Sequence, residues 1–157
     1  MGRVLAFDPG FERLGVAILE RENGREKLLH SACLHTDAKL PFSERLRALG
    51  LETEALIKRW GPDAVALENI YFEKNAKTAL NVARVMGMLV YIAAAHGILI
   101  YEYTPLQVKV AITGWGKSDK AAVAMMVSKL VSIPTKKRLD DELDAIAIGL
   151  TCLASVR

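Results

Sequence analysis

The sequence predicts a mixed α/β domain, a single sheet flanked by helices, and three observations carry that prediction. The chain opens on apolar runs of strand length separated by short turns. It continues with strand-like and helix-like segments in alternation, the pattern of a parallel sheet. At 157 residues with 52% hydrophobic content, it has material for one core and too little for two comfortable ones, so residues 1–157 are read as one domain.

Arg3 to Asp8 is a short apolar run ending at Asp8-Pro9-Gly10, and Leu14 to Leu19 is another. So short a connection makes the two strands antiparallel. A third strand is expected over about Lys27 to Thr36. An amphipathic helix follows from Ser43 to Trp60, with Leu46, Leu49, Leu56 and Ile57 near helical spacing, and Gly61-Pro62 ends it. Asp63 to Glu68 has the composition of a buried strand, Ala76 to His96 of a long helix, and Ile98 to Tyr103 of a last strand. Thr104-Pro105 starts a helix as cap and first-turn proline, and Ser118-Asp119 opens another that runs to about Val131. A final helix is expected from about Asp140 to Ala154.

Composition narrows the function. A formal charge of +3 suits a nucleic-acid partner, because neutralising phosphates takes Lys and Arg on one face. Cys33 and Cys152 have neither zinc-site nor disulfide-framework spacing and suit a reducing cytoplasm. No signal peptide is visible at the N-terminus, and no apolar run is expected to reach the ~18 residues of a membrane span. His30, His35 and His96 show no ligand spacing and are read as structural or solvated.

The chemistry points to acids. Asp8 and Glu68 each close an apolar strand at its carboxyl end, the edge where open α/β sheets form their sites. A buried carboxylate there is costly unless paired or bound to a cation. Asp140, Asp141 and Glu142 open an otherwise apolar helix, where the helix dipole favours acids in the first turn. Asp144 lies one turn further in, where that explanation fails, and Asp141 or Asp140 shares its face. Were the sheet and this helix to converge, four carboxylates would meet with no Lys or Arg in the same motifs. Oxygen-only ligation of that kind suits Mg²⁺ or Mn²⁺, and two such ions would support phosphodiester hydrolysis.

Several motifs in order and spacing resemble one family. They are Phe7-Asp8-Pro9-Gly10 with Gly15, Leu67-Glu68, then Tyr71-Phe72-Glu73-Lys74-Asn75 and Thr78-Ala79-Leu80. Further on stand Tyr103, Gln107-Val108-Lys109, Thr113-Gly114-Trp115-Gly116 with Lys120, and Asp141 to Ile148. Over nearly its whole length the chain resembles the bacterial RuvC-type Holliday junction resolvases of the ribonuclease H-like superfamily. The resemblance implies a five-stranded mixed sheet, a homodimer acting on four-way junction DNA, and a Mg²⁺ site of Asp8, Glu68, Asp141 and Asp144. It also brings a branch-migration motor complex into view as a further partner. Asp140 is an extra acid beside the expected third ligand, which leaves that ligand's register open between Asp140 and Asp141.

The residues that would hold DNA follow. Tyr71 and Phe72 either pack into the core or stack on an unpaired base, a contact worth ~1–3 kcal/mol, and the resemblance favours stacking. Lys74 and Asn75 come next, ready to meet phosphates. Lys109, Lys117 and Lys120 surround Thr113-Gly114-Trp115-Gly116, whose glycines let backbone amides approach a phosphate, with Ser118 adding a donor. The helix from Ala76 to His96 is apolar almost all round after Val85, and such a helix must be buried on every side. One face against the sheet and the other against a second subunit satisfies that need, and the resembled family's dimer uses this helix.

Competing readings remain at this level. A ribonuclease H-like nuclease acting on RNA or RNA–DNA hybrids would carry the same acids. A junction-binding module without catalysis would have no need of all four. An actin-like nucleotide hydrolase would require a second domain and a phosphate loop that this sequence lacks.

Overall fold

A computed structural model describes residues 2–69, 76–133 and 140–156. Among these, five strands form one sheet, β1 (Arg3–Asp8), β2 (Arg13–Glu22), β3 (Arg25–His35), β4 (Ala64–Glu68) and β5 (Leu99–Tyr103). Their spatial order is β3-β2-β1-β4-β5, antiparallel across β3, β2 and β1 and parallel across β1, β4 and β5. The helices are α1 (Phe42–Trp60), α2 (Ala76–Ala95), α3 (Pro105–Thr113), α4 (Lys120–Leu130) and α5 (Asp140–Ser155). The expected mixed sheet flanked by helices is what forms.

Strand alternation sorts the core into two layers. Leu5, Phe7, Val16, Ile18, Val65 and Leu67 face α1 and α2, meeting Leu49, Ile57, Val85, Leu89 and Ile92. Val4, Ala6, Ala17, Leu19, Ala64 and Ala66 face α5, with Val108, Ile112 and Val127 of α3 and α4 closing that side. The alanines on this second face let α5 lie close against the sheet. A β-carbon on Gly149 of α5 would come within 2.3 Å of the Leu19 side chain and 3.2 Å of Ala6. The run Ala145 to Leu153 is buried throughout, because sheet and helices cover it from both sides.

Two boundaries differ from expectation for a physical reason. β2 and β3 run on past their apolar stretches to a tight turn at Asn23-Gly24, both at positive φ (52° and 76°), the geometry of a two-residue hairpin. Ion pairs Arg21–Glu26 and Lys27–Glu22 line this polar extension, so hydrophobicity alone did not reveal it. β4 starts at Ala64 because the Asp63 carboxylate accepts hydrogen bonds from the Gly2 and Arg3 amides at 2.8 Å each. Those bonds hold its pKa below the usual value.

One expectation is corrected. Thr78–Ala95 does reach the length and apolarity of a membrane span, with a mean hydropathy of 1.5 over 18 residues. Val85, Leu89, Ile92 and Ala93 nevertheless pack it on the sheet, while Leu80, Gly87, Tyr91 and Ala94 face outward. His96 Nε2 lies 2.6 Å from Glu54 Oε2, joining the end of α2 to α1, and His30 stacks on Trp60.

Candidate active site

Asp8 and Glu68 occupy the carboxyl ends of neighbouring parallel strands. The ladder pairs Phe7 with Leu67, so the next positions are these two acids. Alternation from Ala6 and Ala66 turns both toward α5. α5 enters there and brings Asp141 and Asp144 from its first two turns. The four acids line one cleft of about 410 Å³ together with Pro105, Val108, Lys109, Lys120, Val123 and Ala147. Asp140 is exposed and lies outside that lining, beside Lys120 and Asp144 in an adjacent depression. Asp141 is thus the acid of this pair that the helix presents to Asp8.

The height of α5 is set by Gly15, which pairs with Asp8 across the β1–β2 ladder and lies directly beneath Asp141. From β3, the Cys33 thiol donates toward Asp141 Oδ2 at 3.9 Å and the Ser31 hydroxyl donates to Glu142 Oε2 at 3.1 Å. Burial, then the Asp141 charge, pushes the Cys33 thiol up to about 11, so it stays protonated at neutral pH.

The cleft concentrates negative charge at depth. Burial first, then Asp144, Glu68 and Asp141, pushes the Asp8 carboxyl up to about 8, with Lys120 opposing. Glu68 is raised by burial and Asp144 against the pull of Lys120 and Lys109. Asp144 is raised by burial although Lys120 lies 3.2 Å from its Oδ2. The same contact raises Lys120.

The donor set fits a hard divalent cation, since Asp8, Glu68, Asp141 and Asp144 offer oxygen alone. A half-buried Asp8 surrounded by three further acids has an excess of charge that such a cation would relieve. Among the described residues, no three side chains close into a preformed metal cage. Two of the acids turn to bases instead: Arg13 Nε lies 3.1 Å from Asp141 Oδ2, and Lys120 engages Asp144. The acids have no Lys or Arg in their own motifs, as read from the sequence. The compensating bases lie in other motifs, and only the register of β2 and the docking of α4 bring them in. Arg13 went unnoticed in the sequence because nothing local distinguishes it from a solvated loop cation.

Of the residues expected to meet DNA, Lys109 and Lys120 line the acid cleft. Lys117 is exposed in the turn before α4 and is not among the lining residues. Ser118, expected to offer a donor to phosphate, is buried instead, its hydroxyl within 2.7 Å of Thr113 Oγ1 and donating to the Trp115 carbonyl at 2.8 Å. These bonds shape the turn that presents Trp115, 62% exposed. Tyr71, Phe72, Lys74 and Asn75 lie outside the described residues.

Comparison with known proteins identifies the family. The family model described as crossover junction endodeoxyribonuclease RuvC matches residues 4–152. The crossover junction endodeoxyribonuclease RuvC of Ruminiclostridium cellulolyticum is 40% identical over 147 residues, 94% of this chain and 89% of that protein. Among solved structures, Thermus thermophilus RuvC in complex with a Holliday junction substrate superposes with a TM-score of 0.90 at 30% identity, covering 96% of this chain and 92% of that one. The yeast mitochondrial Holliday junction resolvase Ydc2, at 14% identity and a TM-score of 0.73 over 98% of this chain and 78% of that one, shares the fold. With the family match spanning nearly all of the sheet and helices that build the acid cleft, this chain belongs to the RuvC family of crossover junction endodeoxyribonucleases.

Proposed function

We propose that this chain is a Holliday junction resolvase, a homodimeric, divalent-metal-dependent endonuclease that makes paired nicks in four-way DNA junctions. The observation that carries the reading is the convergence of Asp8, half-buried at the carboxyl end of β1, with Glu68, Asp141 and Asp144 in one open cleft, where burial and those neighbours push the Asp8 carboxyl up to about 8. The likeness to a RuvC solved with a Holliday junction supports the choice of substrate.

Asp8, Glu68, Asp141 and Asp144 would hold Mg²⁺ or Mn²⁺, most simply as two ions. Bound there, the ions would activate a water and stabilise the leaving oxygen of the cut strand. The rest of the work belongs to the chain. Lys109 and Lys120, on the wall made by α3 and α4, set positive charge opposite the acids, where the anionic oxygens of a phosphate would lie. Val108, Val123 and Ala147 keep the floor apolar, which strengthens every charge interaction above it. Tyr71 and Phe72 would open the branch point by stacking, with Lys74, Asn75 and Lys117 on flanking phosphates.

A symmetric junction calls for two symmetric sites, and an isologous dimer provides them. The outward stripe of α2, Leu80, Ala83, Gly87, Tyr91 and Ala94, is the surface for it, with Tyr91 73% exposed and Leu80 53% exposed in the single chain. A cytoplasmic setting and a branch-migration motor complex that delivers junctions belong to the same reading, and rest on the family resemblance.

The test incubates the purified protein with a synthetic four-way junction and a linear duplex of matching sequence, in Mg²⁺ and in EDTA, beside Asp8→Asn. Paired nicks that need Mg²⁺ and vanish in a variant that still binds are the expected result. Equal cutting of the linear duplex, or no cutting of the junction, would overturn the reading in favour of an RNA-directed nuclease or a binding module.

A further inference from the structure

Two clefts meet at Asp141. One is the acid cleft. The other, about 760 Å³, opens on the opposite side between the β1–β2 loop, α1 and α2, and is lined by Arg13, Arg45, Thr78 and Asn81 along with Glu12. Arg13, at the first position of β2, stands between them. Its Nε holds Asp141 Oδ2 at 3.1 Å, yet its side chain is 54% exposed while that of Asp141 is 20% exposed. Arg45 lies 7% exposed across the second cleft, its guanidinium stacked 3.7 Å from the Phe11 ring centroid and its Nε donating to Thr36 Oγ1 at 2.8 Å.

We propose that Arg13 is a built-in counter-cation for Asp141, which releases that carboxylate when a divalent cation is bound and turns to a strand phosphate in the second cleft. A cation on Asp141 competes for the oxygen Arg13 occupies and repels the guanidinium beside it. Arg13 is tethered at β2, and the space within its reach is the second cleft, where Arg45 supplies a fixed positive charge that favours an anion. The guanidinium fork suits a phosphate as well as it suits a carboxylate. Metal and DNA then favour the same position of Arg13, so each strengthens the binding of the other. The phosphate half rests on the resolvase reading. The counter-cation half does not.

The test titrates the DNA-free chain with Mn²⁺ by calorimetry and measures junction binding by fluorescence anisotropy in Ca²⁺, with EDTA as the metal-free reference. Arg13→Leu is compared with Arg84→Gln, which removes an equal charge from α2 where it stacks on Phe42 and touches no acid of the cleft. The expected result is roughly two- to fivefold tighter Mn²⁺ binding in Arg13→Leu, the scale of a partly exposed ion pair, with weaker junction binding. Arg84→Gln should leave Mn²⁺ affinity unchanged. Unchanged or weaker Mn²⁺ binding in Arg13→Leu, or equal tightening in Arg84→Gln, would overturn the counter-cation. Tighter Mn²⁺ with unchanged junction affinity would overturn the transfer to phosphate. Should Mn²⁺ binding tighten in Arg13→Leu as described while the wild type cuts no junction, the counter-cation stands and the resolvase reading falls.

Discussion

A β-carbon placed on Gly15 would lie 2.0 Å from the main-chain carbonyl oxygen of Asp141 and 3.2 Å from its own β-carbon. The first turn of α5 therefore rests on the backbone of β2, opposite Asp8, and the third acid reaches the second strand's edge only because no side chain intervenes.

Gly15→Ala should lift the start of α5. The overpacking cost is about 1–3 kcal/mol, seen as a lower Tm. Displacement of Asp141 by about an ångström should reduce junction cleavage on the order of a hundredfold, while junction binding changes little. A variant that melts and cuts like the wild type would show that Gly15 does not set the height of the helix.

Asp8 makes the metal-free protein sensitive to pH. Its folded pKa of about 8 exceeds its ordinary value of 3.8, so between those limits the folded state keeps a proton that the unfolded state has lost. Stability is then fully present below the ordinary value and falls as pH rises toward 8. Melting in EDTA from pH 5 to 9 should show this decline, and Asp8→Asn should be the more stable protein above pH 7 by at least about 1 kcal/mol, the worth of one pKa unit. Glu68 and Asp144, raised in the same direction, leave a residual slope in the variant. Mg²⁺ should flatten the wild-type slope by favouring the ionised acids. Parallel curves for wild type and Asp8→Asn would contradict the burial of charge at this position.

Gly87 separates folding from association. A β-carbon there meets nothing within 4 Å in the single chain, and a longer side chain would point outward from the centre of the α2 stripe. Gly87→Glu should therefore cost the single chain nothing, since glycine is a poor helix residue, and any fall in Tm should be confined to the concentration-dependent contribution of association. It should still convert a dimer to monomers in light scattering at micromolar concentration. A dimer that survives the substitution would place the subunit contact elsewhere.

The elements and most of their faces were legible in the sequence. Alternation in β1 and β4 put Asp8 and Glu68 on the same side as Ala6 and Ala66, and the apolar run after Asp144 required a buried helix, because hydrophobic period and strand termini are local properties. It stopped short where spacing alone is ambiguous: Asp140 and Asp141 are equal on the helix, and the hairpin beyond Leu19 carries no apolar signal. Packing between distant elements places Asp141 in the cleft and Asp140 outside it, because Gly15 and Arg13 lie more than a hundred residues from Asp141 and meet it only once β2 is in register beneath α5. The same docking brings Lys120 to Asp144 and gives Asp8 its raised pKa, since burial and neighbouring charge depend on packing between elements and not on the residues that adjoin each acid in the chain.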